Sequence, residues 1–208
     1  ASGQMYRRNR YYDPATGQFT QPDPIGLAGG LNAYGFAAGD PVSYSDPYGL
    51  ASDTIVPVGN EAKSVLFGLF MVAQFASESD DPRVAAAGSA LLSGLVELHA
   101  HPKKVFFTID PSVRSTTGPL LDGSGNYRAN VNPNQSTKRH IGVRAAHELG
   151  HAYGVLINRA TDPNNSADRR MQNRNSLYFE NSVRTIFGCV PRLIHGTDSN
   201  AQNPGCQP

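Results

Sequence analysis

Cysteine is nearly absent from this chain of 208 residues: Cys189 and Cys206 are all it has, and with no CxxC spacing between them a zinc ribbon is excluded. A disulfide between them would tie down a tail poor in apolar residues, although a protein acting in a reducing cytosol would not be expected to depend on one. An excess of charge of one sign is also missing. Lys and Arg number 18 against 17 Asp and Glu, for a net charge of +1, and the basic residues are scattered, which argues against nucleic-acid binding through a broad basic surface. Long apolar runs are lacking too. VLFGLFMVAQFA (65–76) and AAAGSALLSGLV (85–96) fall short of the roughly 20 residues a helix needs to cross a bilayer, so no membrane span is expected. The opening ASGQMYRRNRYY has no secretory-leader pattern, and the chain as given reads as soluble.

What is present changes character near residue 50. Residues 1–50 carry most of the tyrosines, with many Gly, Pro and Asp and almost no helical periodicity, and read as turns and short strands. Within them one pentapeptide occurs twice, Asp23-Pro24-Ile25-Gly26-Leu27 and Asp46-Pro47-Tyr48-Gly49-Leu50, separated by Ala28–Ser45. A single DPxG is an ordinary turn, but the doubled form is specific. Residues 51–208 are long enough for a core of their own. Asn60–Ala76 and the run from Asp81-Pro82 to Leu98 read as scaffold helices, and KVFFTID (104–110) and NYRANVN (126–132) as strands joined by a turn-rich connection around Asp122–Gly125.

The most informative stretch is HIGVRAAHELGHAYGVLI (140–157), which holds His147-Glu148-Leu149-Gly150-His151 within a helical pattern. Ile141, Ala145, Leu149, Ala152 and Leu156 supply its buried face; Ser136 or Thr137 offers an N-cap, and Gly154 or Asn158 a stop signal. Residues four apart share a helix face, so His147 and His151 would present two imidazoles one turn apart, a pairing suited to Zn2+. Glu148 beside them is placed to take a proton from attacking water and hand it to a leaving amine. A hydrolytic zinc site needs a third protein ligand. The position six residues after His151 is Ile157, so the acidic candidates are Asp162, Asp168, Glu180 and Asp198. Glu180 is preferred, because it lies in a second helical stretch, NRNSLYFENSVRTIFG (173–188), whereas Asp162 and Asp168 fall in the loop-like TDPNNSADRR. Arg184, one turn on, would orient that carboxylate, meet a substrate carbonyl or be simply structural. His99 and His101 could bind metal but read first as capping or contacting the dipole at a helix end. Nothing in the sequence selects among His140, His195, Tyr153 and Tyr178 as oxyanion partners.

The stretch YRRNRYYDPATGQFTQPDPIGLAGGLNAYGFAAGDPVSYSDPYGL resembles the C-terminal end of the Rhs repeat-associated core, over nearly all of residues 5–50. The resemblance implies a β-rich cage, most of which is not in this sequence, and autoproteolysis by two aspartates, here Asp23 and Asp46, cutting Leu50-Ala51 to release a variable toxin. That chemistry needs two carboxylates close enough for one to stay protonated as acid while the other activates water. AAHELGHA and the downstream Glu180-Asn181-Ser182-Val183-Arg184 make residues 51–208 similar to zincin metallopeptidases, most suggestively NleD-like effector peptidases, over about a third of that domain.

The expected architecture is therefore α+β: a short β- and turn-rich Rhs core tail (1–50), then a zincin-like zinc metallopeptidase domain of helices and a small sheet (51–208). The expected function is a secreted effector, delivered into a target-cell cytoplasm by a type VI or related pathway. Its partners would be a target-cell protein as substrate, a cognate immunity protein and the rest of the Rhs cage. Two other readings stand beside it: a fragment whose only chemistry is self-cleavage, and a binding toxin that sequesters its target through a non-catalytic metal site.

Overall fold

The computed structural model describes residues 3–7, 9–23, 32–37, 46, 49, 55–99, 101–135, 140–162 and 164–193. The chain divides into two compact units, Ala1–Thr54 and Ile55–Pro208.

The first unit is built on an antiparallel sheet of β1 (Met5–Arg7), β2 (Arg10–Asp13) and β3 (Gln18–Phe19), in that order. The β2–β3 hairpin follows from Asp13-Pro14-Ala15-Thr16-Gly17. The Asp13 carboxylate accepts from the Ala15 amide at 2.9 Å, and Gly17 takes the left-handed φ of 70° that closes the turn. Alternation along β2 turns Arg10 and Tyr12 inward and leaves Tyr11 exposed. Tyr12 then packs with Phe19, Phe36 and Ala37 in a small aromatic core, its ring 4.0 Å from that of Phe36.

The second unit runs β4 (Ile55–Val58), α1 (Asn60–Ser77), α2 (Pro82–His99), β5 (Val105–Ile109), β6 (Thr116–Pro119), β7 (Tyr127–Val131), α3 (Ile141–Leu156) and α4 (Ser166–Ile186). The sheet order is β4-β5-β7-β6, with β4, β5 and β7 parallel and β6 antiparallel at one edge. A parallel β4–β5 pair requires a crossover, and the hairpin of α1 and α2 provides it. The strands expected over 104–110 and 126–132 are β5 and β7. Neither β4 nor β6 was legible. Pro57 interrupts β4, and Thr-Thr-Gly-Pro shows no alternation; β6 exists because its backbone pairs with β7.

Two helix boundaries differ from expectation. The N-cap of α3 is His140, whose Nδ1 accepts from the Gly142 amide at 3.2 Å; Ser136 and Thr137 lie outside the described residues. Gly154 does not end the helix, which continues to Leu156. The second helix begins earlier than expected, at Ser166, because the Asn165 side chain accepts from the Ala167 amide at 2.8 Å, a cap of about 1 kcal/mol, so Asp168 sits in its first turn and not in a loop. Cys189, just past α4, is disulfide-bonded, and Cys206, the only other cysteine in the sequence, lies outside the described residues.

His99 does not act as a cap. It is buried at the end of α2 against the Phe70 ring, neither ring nitrogen has a hydrogen-bond partner among the described residues, and burial pushes its pKa down to about 4. Its neutral form is the one that fits the fold. The unfolded chain then binds more protons between about pH 6.5 and 4, so this stability is fully present above pH 6.5 and is lost as pH falls through that window. The expected loss is on the order of 3 kcal/mol. Urea melts of parent and His99→Leu at pH 7.5 and 4.5 check this: the acid-induced drop should be smaller in the variant, and equal drops would assign acid lability to other groups.

Candidate functional site

The pairing of α3 with α4 places the side chains of the second unit's site. The two helices come closest at glycines. A Cβ on Gly150 would lie 2.6 Å from the Ser176 Cα, and one on Gly154 would lie 3.0 Å from the Gln172 Cα. The helices run antiparallel, so a step back of about one turn on α3 from Gly150 to His147 matches one turn forward on α4 from Ser176 to Glu180. His147 Nδ1 accordingly lies 2.8 Å from Glu180 Oε2. The rings of His147 and His151 stand edge to face with centroids 4.9 Å apart.

Glu148 points to the sheet. Its Oε2 accepts from the Thr117 hydroxyl of edge strand β6 at 2.9 Å, and its backbone carbonyl lies at the same distance from that hydroxyl. Burial raises the Glu148 pKa above the ordinary carboxylate value, against the lowering effects of His147 and the Thr117 hydrogen bond. A carboxylate with raised proton affinity and a fixed rotamer suits general-base work.

Glu180 is fully buried between two cations. Arg184 Nη1 stands 3.6 Å from Oε1 and Arg192 Nη1 3.3 Å from Oε2. Arg184 also donates from Nε to the Val190 carbonyl at 2.8 Å. Arg192 escaped the sequence reading altogether. It returns to the site because Asn181 binds both of its backbone groups, accepting its amide at 2.7 Å and donating to its carbonyl at 2.8 Å.

As a metal site, the imidazoles of His147 and His151 fit the role of two neighbouring donors. Glu180 is brought to His147, but as a neighbour of Nδ1 with two arginines around it, and among the described residues no group of three or more His, Cys, Asp or Glu is gathered as a metal would need. Asp162 and Asp168 meet each other instead, the Asp162 amide donating to Asp168 Oδ2 at 3.0 Å. His195 and Asp198 lie outside the described residues. Tyr153 donates to Glu97 Oε2 at 2.5 Å, and its pKa is pushed up to about 12 by burial and that carboxylate.

The first unit brings Asp23 and Asp46 together on one buried guanidinium. Arg10 Nη2 is 2.7 Å from Asp23 Oδ2 and 3.4 Å from Asp46 Oδ2, so the two oxygens are no farther apart than those distances combined. Arg10 Nε donates to the Gly49 carbonyl at 2.5 Å, Nη1 to the Ala33 carbonyl at 3.0 Å, and its guanidinium lies 3.6 Å from the Phe19 ring centre. Burial lowers the Arg10 pKa while both aspartates push it back up. Gly49 is required: its φ is 65°, and a Cβ there would meet the Arg7 carbonyl at 2.9 Å. Leu50 and Ala51 lie outside the described residues. Arg10 was also missed from the sequence, where it is one arginine among three in YRRNR.

Short matches to curated proteins set these sites in context. The chain is 54% identical over 50 residues to the "Probable deoxyribonuclease RhsA" of Dickeya dadantii, covering 24% of this chain and 3% of that one. It is 49% identical over 51 residues to the "Double-stranded DNA deaminase toxin A" of Burkholderia cenocepacia, covering 24% and 4%, and 44% identical over 55 residues to the "Toxin protein Tse5" of Pseudomonas aeruginosa, covering 26% and 4%. Over a stretch about as long as its first unit, the chain is thus similar to Rhs and related toxin proteins, while spanning only a few per cent of their length. No protein-family model and no solved structure matches the chain.

Proposed function

We propose that this chain is the C-terminal part of an Rhs-type toxin whose second unit, read as zincin-like, is a zinc-dependent endopeptidase acting on a target-cell protein. The observation that carries the reading is the helix α3 trio: His147 and His151 ring against ring, with Glu148 buried between them in sequence and hydrogen-bonded to an edge strand. His147 and His151 would hold Zn2+, with Glu180, which lies beside His147, as the candidate third protein ligand, and the bound ion would supply a Lewis acid for a substrate carbonyl. Glu148 takes the proton of the attacking water and delivers it to the leaving amine. Thr117 keeps that carboxylate in one rotamer, and β6, an edge of the sheet, offers backbone groups along which an extended peptide would add as a strand. In the first unit, Asp23 and Asp46 would divide the acid and base roles in cutting Leu50-Ala51, with Arg10 holding both carboxylates and the carbonyl of Gly49, one residue before that bond. A cognate immunity protein, the rest of the Rhs cage and delivery into a target cell belong to the same reading.

A second reading, action on DNA, draws on the names of two relatives. Those names state different activities, deoxyribonuclease and deaminase, for proteins that match this chain over the same short length, so the shared stretch is not what distinguishes their chemistry. A zinc deaminase of the Cys-x-x-Cys type is also ruled out by the two isolated cysteines. The deciding experiment measures zinc content by mass spectrometry and incubates the chain with a target-cell lysate and, separately, with plasmid DNA. Roughly one equivalent of zinc per chain, as a mononuclear site requires, and new protein N-termini that disappear with a chelator are expected. Cut or deaminated plasmid with an untouched lysate would replace the peptidase reading with the nucleic-acid one.

A further inference from the structure

Resting on the peptidase reading of the second unit, we propose that the cavity between α1, the start of α3 and the end of α4 is a specificity pocket for one large apolar side chain of the polypeptide substrate. The cavity measures about 250 Å3 and is walled by Val65, Gly68, Leu69 and Val72 of α1, Ile141 of α3 and Phe187 just past α4. Sites for whole small molecules run to roughly 300–1,000 Å3, so this one suits a single side chain. Two polar side chains at its wall are engaged with backbone: the Ser64 hydroxyl donates to the Asn60 carbonyl at 3.0 Å, and His140 Nδ1 accepts from the Gly142 amide at 3.2 Å. The rest of the wall is hydrocarbon, which favours an apolar guest.

Gly68 is the observation that points to a guest. Glycine inside a helix is less favourable than alanine, so its presence needs a reason. Gly88, Gly94, Gly142, Gly150 and Gly154 have one, since a Cβ on any of them would come within 3.2 Å of a neighbouring atom. A Cβ on Gly68 would meet nothing within 4 Å. Packing among the described residues therefore does not call for glycine at 68, whereas an incoming side chain does.

The pocket is continuous with the candidate site. The rings of His140 and Phe187 meet with centroids 5.6 Å apart, and His147 meets Glu180 farther along the same seam of α3 and α4. His140 and His147 are about two turns, or about 10 Å, apart along the helix, and an extended peptide advances roughly 3.3 Å per residue. A substrate lying over His147 thus brings to the pocket a side chain roughly three residues from the cut. The described continuation of the chain does not fill the space: Asn181 holds Arg192 back toward Glu180, and Leu193 is 90% exposed.

The test uses the whole 208-residue chain with its valine, leucine and isoleucine methyl groups labelled for nuclear magnetic resonance. N-acetyl-phenylalanine amide should shift the methyls of Val65, Leu69, Val72 and Ile141 saturably, and N-acetyl-lysine amide should not. Gly68→Leu should keep the fold and weaken the phenylalanine probe by about 10–100-fold, the worth of burying one such side chain. In a lysate digest, the parent should favour Phe, Leu, Ile or Met about two to four residues from the cut, and Gly68→Leu should lose that preference while still cutting. Shifts spread over the surface, shifts unchanged in Gly68→Leu, or cuts without an apolar preference overturn the proposal. Overhauser contacts from Ile194 to the wall methyls would make the chain's own tail the occupant, and methyl shifts that follow protein concentration would make it a second copy; either result overturns the proposal as well. A chain that cuts no protein yet binds the phenylalanine probe in this Gly68-dependent way sustains the side-chain pocket and removes the peptidase reading.

Discussion

Glu148→Gln is expected to abolish most of the turnover of the second unit while leaving its fold and zinc content in place. The amide has the volume of the carboxylate and still accepts the Thr117 hydroxyl, so the contact between α3 and β6 survives. What it cannot do is take a proton from water. General-base assistance contributes about a hundredfold to ten-thousandfold, and the loss in cleavage rate should fall in that range. His147→Ala should behave differently, losing zinc together with activity and some stability, since a ligand is gone. The measurements are metal analysis, cleavage of a susceptible lysate protein and survival of cells expressing each form. Should Glu148→Gln kill cells as effectively as the parent, toxicity does not come from hydrolysis, and sequestration of a target becomes the leading reading.

Asp46→Asn is expected to convert a chain that splits at Leu50-Ala51 into one that stays whole. Both carboxylates converge on Arg10, and Arg10 also binds the carbonyl of Gly49, which in sequence is one residue before the bond proposed to be cut. The asparagine retains a group for Arg10 to contact through its amide oxygen, but it can neither donate the proton that the leaving amine needs nor accept one from water. Intact-mass measurement before and after incubation should show two pieces for the parent and one for the variant, a rate difference of about a hundredfold or more. Asp23→Asn should give the same result. A parent chain that remains whole through prolonged incubation would mean that residues outside this chain are required for the reaction.

The parts of this molecule that were legible without coordinates are those whose geometry is local. His147 and His151 share a face because a helix places residues four apart side by side whatever surrounds it, and α3 spans 141–156 of the expected 140–157. The doubled DPxGL pattern and strands β5 and β7 could be read for the same reason, from turn chemistry and short-period patterning. His140 shows where local reading reaches its limit: Ser and Thr are the favoured caps, but a histidine nitrogen occupies the position.

Tertiary packing decided everything that joins distant residues. Glu180 faces His147 because Gly150 and Gly154 let α4 approach α3 in one register, and the role open to it depends on Arg192, which Asn181 folds back from beyond the helix. Thr117 reaches Glu148 from a strand that has no pattern of its own and owes its existence to β7. Arg10 gathers Asp23 from one segment and Asp46 with the Gly49 carbonyl from another. The physical reason is common to all three. A hydrogen-bonded turn is specified by neighbours along the chain, whereas the partner of a buried charge is specified by which elements can pack without a clash and by the cost of leaving that charge unpaired.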